Sequence, residues 1–156
     1  MSAAAKVSTC LWYDSQAEEA ARFYVSLLPD SGITEVMRPD PDGPALMVFF
    51  TLAGAPYQAL NGGPHYALTP AASIAVTTKD QEETDRLWAA LVAEGGAEGH
   101  CGWLTDRFGL SWQIVPEALP RLLASPDRAA AERVQQAMLQ MSKIDIAALE
   151  MAHNKK

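Results

Sequence analysis

Cys101-Gly-Trp-Leu-Thr-Asp-Arg-Phe-Gly-Leu-Ser-Trp-Gln-Ile-Val-Pro116 is the stretch from which the fold can be read. Residues 102–106 read as one strand, Arg107-Phe108-Gly109 as a turn, and residues 110–115 as a returning strand that Pro116 ends. Gly109 supplies the positive φ that a tight turn demands. On the second strand Ser111, Gln113 and Val115 share one face, and Leu110, Trp112 and Ile114 share the other. A strand with a polar centre on one face suits the wall of a ligand cavity. Taken alone, the window suits a solvent-facing strand better.

The elements upstream give the hairpin its meaning. Residues 72–77 read as a strand, with Ile74 and Val76 on one face. Asp80-Gln-Glu-Glu83 then carries a helix-capping pattern, and Thr84, Leu87, Trp88, Leu91 and Val92 form the stripe of a helix that Gly95-Gly96 stops. The first half runs the same way. A strand over residues 6–13 leads to a capping box, Ser15-Gln-Ala-Glu18, and to a helix striped with Ala17, Ala20, Ala21, Phe23, Tyr24, Leu27 and Leu28. Strands follow at residues 33–38, 45–52 and 57–61, with Ala53-Gly54 as a hairpin turn and Gly62-Gly63-Pro64 as a loop. The order is β-α-β-β-β, a short linker, then β-α-β-β-β again.

The copies overlay. A shift of 64 sets Glu18 on Glu82, Glu19 on Glu83, Arg22 on Arg86, Leu27 on Leu91 and Thr9 on Ser73. At the hairpins a shift of 55 sets Gly54 on Gly109, Tyr57 on Trp112 and Gln58 on Gln113. The caps align one residue less well, so the strand register carries an error of about one. Helix stripe, cap, turn glycine and strand face agree in order, which argues for an internal repeat.

Beyond Pro116 the pattern changes. Residues 119–123 read as a short apolar helix. Pro126-Asp127 opens a longer one with Ala130, Val134, Ala137, Met138 and Met141 on its stripe, and residues 143–149 form a last turn or two. This amphipathic tail is expected to pack on a partner subunit or on its own sheet.

Composition narrows the classes of partner. The chain has 156 residues, 49% of them hydrophobic, which suits one globular domain or two small halves. Its net charge is −7, from 12 basic and 19 acidic side chains, so neither nucleic acid nor an anionic membrane is an expected partner. The N-terminus lacks the apolar run of a signal peptide, and two cysteines, Cys10 and Cys101, make no disulfide framework. A cytoplasmic location is expected.

Leu11-Trp-Tyr-Asp14, Ala20-Ala-Arg-Phe-Tyr24, Asn61-Gly-Gly-Pro-His65, Cys101-Gly-Trp103, Ser111-Trp-Gln-Ile-Val-Pro116 and Lys143-Ile-Asp-Ile-Ala-Ala148 carry a resemblance. In its two β-α-β-β-β units the chain resembles the vicinal oxygen chelate superfamily of glyoxalases, ring-cleaving dioxygenases and bleomycin-resistance proteins. Within it the chain is most similar to the PhnB-like family, also called demethylubiquinone methyltransferase-like. The resemblance spans nearly the whole chain. It implies that four strand positions, which hold the ion in metal-dependent members, fall on Thr9, Gln58, Ser73 and Gln113. Two hydroxyls and two neutral amides bring no negative charge to offset a divalent ion's lost water. They suit a polar pocket, so neither a metal nor another cofactor is expected.

Other residues are weighed beside these four. His65, in the linker, is expected to reach the pocket as an acid or base. Trp103 is assigned to the ligand wall, whereas Trp12, Trp88 and Trp112 read as core. His100 and Cys101 are strand neighbours whose side chains oppose each other, so an inert thiol is favoured over a nucleophile. Asp106-Arg107 reads as turn chemistry. Glu18, Glu19, Glu82 and Glu83 sit where a helix dipole favours carboxylates. The methyltransferase label lacks the Gly-rich strand-to-helix turn that a nucleotide-type cofactor brings.

The expectation is therefore an α+β protein of two sequential βαβββ modules, residues 1–64 and 65–116, whose curved sheets enclose a cleft, with a helical extension over residues 117–156. It would bind a small molecule through Thr9, Gln58, Ser73, Gln113, His65 and Trp103, as glyoxalase-like and bleomycin-resistance-like proteins do, without a metal. The sequence assigns no catalytic residue. A metal-dependent lyase, isomerase or dioxygenase with an atypical ligand set is the alternative. A homodimer built on sheet edges, with the C-terminal helices close by, is expected because a single module leaves an edge uncovered.

Overall fold

The structure, a computed structural model, describes residues 5–155. The chain forms two compact units, one ending at Leu68 and the next beginning at Thr69. Each holds a four-stranded mixed sheet with a helix on one face. Among the described residues no helix is long and apolar enough to cross a membrane.

The first unit runs β1 (Thr9–Tyr13), α1 (Ala17–Val25), β2 (Gly32–Met37), β3 (Met47–Leu52) and β4 (Ala55–Asn61). Its sheet order is β1-β4-β3-β2, with β1 parallel to β4 and the other pairs antiparallel. Strict alternation in β3 buries Val48, Phe50 and Leu52, on which α1 lays Ala17, Ala20, Ala21 and Tyr24. Ala53 and Gly54 both take positive φ, +46° and +81°, which gives the two-residue hairpin loop its twist.

The second unit repeats the order as β5 (Ser73–Thr78), α2 (Gln81–Val92), β6 (Ala97–Glu98), β7 (Trp103–Thr105) and β8 (Ser111–Pro116), arranged β5-β8-β7-β6. Leu87, Trp88 and Leu91 of α2 bury against Leu104, Trp112 and Ile114. The turn of the hairpin runs from Asp106 to Leu110, with Gly109 at φ +90°.

Local expectations divide. At α2 the cap forms: Asp80 Oδ1 accepts the Glu83 N–H at 2.9 Å, and Glu83 accepts the Lys79 N–H at 2.8 Å. At α1 the Ser15 box does not form. Gln16 is the N-cap residue and offers no side-chain bond, while Asn61 reaches back from the end of β4 to accept the Ala17 N–H at 2.8 Å. Glu18, the intended partner of Ser15, is drawn away by Arg22 at 2.8 Å and Arg38 at 2.7 Å. These hydrogen-bonded guanidiniums hold its carboxyl below the usual carboxylate range, Arg22 contributing most.

The tail also departs from expectation. It forms α3 (Ala118–Leu123), α4 (Arg128–Met138) and α5 (Ile146–Asn154), the last a full helix rather than a turn or two. Leu119, Leu122, Val134, Ile144 and Leu149 make a buried core, with Ala137, Met138 and Met141 packed against it. The apolar stripe is thus covered in part by the tail's own helices, with Val134 buried and Ala137, Met138 and Met141 half-buried. The tail is fastened to its own module. The N–H groups of Cys101 and Gly102 donate to the carbonyls of Met141 and Ser142, both at 2.8 Å. Gln81 bridges the Ile144 carbonyl and the Ile146 N–H.

Candidate functional site

Each sheet has a second face, turned away from its helix. Strand register assigns its residues row by row, because directly paired residues project to the same side. In the first unit Cys10 pairs with Gln58, Gln58 with Phe49, and Phe49 with Glu35. In the second unit Ala75 pairs with Gln113, and Gln113 with Trp103. The two central rows therefore share a glutamine on the fourth strand of the module and an aromatic side chain directly across from it. Gln58, Phe49, Gln113 and Trp103 are all half-buried.

Each glutamine is held by a serine at the start of the first strand. Gln58 Nε2 donates to Ser8 Oγ at 3.0 Å, and Gln113 Nε2 donates to Ser73 Oγ at 2.9 Å. Ser8, not Thr9, is thus the counterpart of Ser73, and the register offset between the first strands is 65 rather than 64. Thr9 pairs with Tyr57 and shares the side of Leu11 and Tyr13, which are buried toward the helix. The sequence expectation for Thr9 is corrected by one residue. Adjacent hydroxyl residues gave the repeat no signal to separate them.

The remaining candidates fall as follows. Trp103 stands beside Gln113. His65 is exposed in the turn after Pro64, next to Tyr66, whose ring meets Trp12 edge-on at 4.9 Å. Trp12 is half-buried rather than core. Its indole lies over Gly62 and donates to the Gly63 carbonyl at 2.9 Å. His100 and Cys101 are not strand neighbours, since they precede β7 in a turn where Cys101 takes φ +57°. Asp106 is turn chemistry: its carboxylate, 3% exposed, accepts the N–H groups of Phe108 and Leu110 and the indole N–H of Trp112. Cys10 is exposed, and local desolvation pushes its thiol up, so it stays protonated near neutral pH.

Phe49, Ser8 and Glu35 were not singled out from the sequence. Phe49 was within reach: a two-residue loop at Ala53-Gly54 pairs residue 52 with 55 and hence 49 with 58. Glu35 was not, because a bulge between Ile33 and Glu35 shifts the β2 register.

The donor set does not suit a divalent ion. Each row offers a neutral amide and a hydroxyl already bonded to each other, and the first row adds only the Cys10 thiol and, two strands from Gln58, the Glu35 carboxylate, with no imidazole among them. Among the described residues no group of three or more His, Cys, Asp and Glu gathers as a metal site. An open groove of about 420 Å³ lies elsewhere in the second unit, lined among others by Lys79, Asp80, Arg121 and Asp145. Asp80 and Asp145 there are engaged as helix caps.

Residues 5–115 match the model of the 3-demethylubiquinone-9 3-methyltransferase family, and the chain belongs to that family. The PhnB protein from Bacillus cereus is similar in structure, with 32% identity over 72% of this chain and 99% of that one, at a TM-score of 0.66. Protein PA1353 from Pseudomonas aeruginosa shares the fold at 19% identity and a TM-score of 0.60, covering 73% and 98% of the two chains. So does the fosfomycin resistance protein FosX from Mesorhizobium loti, at 13% identity and 0.57, covering 78% and 98%. At 19% and 13% identity the last two likenesses show a shared fold alone. No curated protein matches the chain.

Proposed function

We propose that this family member binds organic small molecules over the serine–glutamine–aromatic row of its sheets and holds no metal there. The observation that carries the reading is the recurrence of one arrangement, Ser8–Gln58–Phe49 and Ser73–Gln113–Trp103, at matching register in two sheets. Sheet packing does not require a glutamine at that place. A polar group flanked by a ring, on a half-buried face, is the makeup of a ligand wall.

Methyl transfer from a nucleotide-type donor is not part of the proposal. The strand-to-helix turns, Asp14-Ser15-Gln16 and Lys79-Asp80, carry no glycine to admit a phosphate or sugar against the backbone. The fold also recurs in FosX, a protein named for resistance, which fits a binding role as readily as a catalytic one.

A thermal-shift screen of metabolites and antibiotics tests the reading. Compounds that raise the melting temperature of the wild type are expected to lose that effect in Gln58→Leu or Gln113→Leu, whose ligand-free melting stays close to wild type. Hits that survive both substitutions would refute the site. Stoichiometric zinc, nickel, manganese or iron, in protein prepared without chelator or nickel resin, would favour a metal-dependent lyase, isomerase or dioxygenase instead.

The proposal includes a homodimer in the cytoplasm. Edge strand β2 has six residues and only β3 beside it in its sheet, which leaves backbone groups for a second copy. Light scattering at micromolar concentration is expected to give twice the 16.8 kDa of the chain.

A further inference from the structure

Resting on that reading, we infer that the first sheet selects a planar, protonated nitrogen compound such as an aromatic amidine or amine. The inference comes from the order of groups along the row Gln58, Phe49, Glu35. Gln58 spends an amide N–H on Ser8, and its Oε1 accepts no hydrogen bond from the described residues. Phe49 lies next, with its ring half-buried. Glu35 closes the row on the edge strand, exposed and without an ion-pair partner among the described residues. The row therefore reads amide, aromatic face, anionic acceptor.

Glu35 has no hydrogen to give, and Gln58 presents its Oε1 beside its second amide N–H, so a ligand that brings N–H donors can be accepted at both ends. The ring between them favours a flat or cationic group on its face. Gln58 and Glu35 stand two strands apart, about 10 Å at the usual spacing, which is room for one ring with polar ends.

The surroundings set the sign of the charge. The flanking row, Trp12, Leu60, Met47 and Met37, is uncharged. Arg38, the first base after β2, is held on the helix side by the Glu18 carboxylate at 2.7 Å. Lys6 precedes β1, at the opposite edge of the sheet from Glu35. No base on these rows competes for Glu35, and a carboxylate ligand would meet its like charge there.

The second sheet lacks the final element of the row. Beyond Trp103 the chain offers Gly99, whose N–H donates to the Trp103 carbonyl at 2.9 Å. Charge selection is thus a property of the first unit alone.

Benzamidine, benzamide and benzoate share a ring and carry charges of +1, 0 and −1. Titrated into the full chain at low salt and followed by amide chemical shifts, benzamidine is expected to bind roughly tenfold more tightly than benzamide, with benzoate weakest. Glu35→Gln, an exposed edge position whose change leaves the core intact, should bring the amidine-to-amide ratio close to one while leaving benzamide unchanged. Phe49→Leu should weaken benzamidine and benzamide together. Equal binding of the three, tighter benzoate, or an unchanged ratio in Glu35→Gln overturns the inference but leaves the small-molecule reading standing. If none of the three moves resonances of the row, the inference also falls, and the metabolite screen decides the broader reading by itself.

Discussion

Asp106 is the residue on which the second hairpin turns, and its substitution gives the sharpest test of the fold. The carboxylate is 3% exposed and accepts three hydrogen bonds: Phe108 N–H at 2.8 Å, Leu110 N–H at 3.0 Å and Trp112 Nε1–H at 2.9 Å. Removing it in Asp106→Ala leaves the Leu110 and Trp112 donors buried without these acceptors, at about 1–3 kcal/mol each. The part-buried Phe108 N–H regains water more easily. The sum is roughly 3–5 kcal/mol, a large share of the 5–15 kcal/mol that holds a typical domain. Asp106→Asn is more telling, because it preserves shape. Its oxygen can serve the two backbone groups, but its NH₂ then confronts the Trp112 indole N–H, donor against donor, at about 2 kcal/mol. Trp112→Phe removes that conflict. In urea denaturation followed by circular dichroism, the Asn variant should lose less stability in the Phe background than in the wild type, with a coupling of about 1–2 kcal/mol. A cost below about 1 kcal/mol for Asp106→Ala, or no coupling, would refute the assignment of Asp106 as the acceptor that organises the turn.

Two further outcomes follow from particular contacts. A Cβ added at Gly62 would lie 2.3 Å from the Trp12 ring, so Gly62→Ala should displace the indole, break its bond to Gly63 and cost about 1–3 kcal/mol, with a red-shifted tryptophan emission. An unaltered emission spectrum would show that the indole does not rest there. Asp85 is hydrogen-bonded by Lys143 at 2.7 Å and, second, by Gln81, and these hold its carboxyl below the usual value. A depressed folded value means stability that is present above the unfolded value of about 3.9 and is lost as pH falls through the folded one. Lys143→Gln should therefore melt below wild type at pH 6, by a small margin since both groups are half-exposed, and the difference should shrink as pH falls below the unfolded value. A gap of equal size at low pH would assign the effect to packing of the tail instead.

Much of this architecture is legible in the sequence because it rests on local periodicity. Alternation in 47–52 and 111–116 dictates which residues face the helices, and the hairpins at Ala53-Gly54 and Gly109 set the antiparallel pairings. From these, Gln58 and Gln113 emerge as equivalent. What escapes is set by contacts distant along the chain. The repeat overlay points to Thr9 rather than Ser8 because β1 pairs in parallel with β4, far along the chain, and a one-residue slip exchanges the faces. The Ser15 box fails because Arg38, twenty residues away, competes for Glu18, and Asn61, farther still, supplies the cap. The sequence leaves the tail stripe open between a partner subunit and its own sheet, because α5, which helps cover it, reads as only a turn or two.

The tail also explains how the second module tolerates its short outer strands. In the first unit β2 and β3 have six residues each, whereas β6 has two and β7 three. So short an edge leaves backbone donors without a neighbouring strand, and buried ones are costly. At Cys101 and Gly102 the carbonyls of Met141 and Ser142 take the place of strand partners. Positive φ at both residues turns those N–H groups outward from the ladder, and the absent side chain of Gly102 admits Ile144, whose Cγ1 would lie 3.2 Å from an added Cβ. Ile144 is itself fully buried in the core of the tail. The segment that begins β7 is therefore anchored from the tail, and the next residue is Trp103, the ring beside Gln113. Sheet pairing alone positions the aromatic member of the first row, whereas that of the second is paired with Gln113 and also anchored by tail carbonyls just before it. The same row is reached in the two modules by different means, and loosening the tail should disturb Trp103 before it disturbs Phe49.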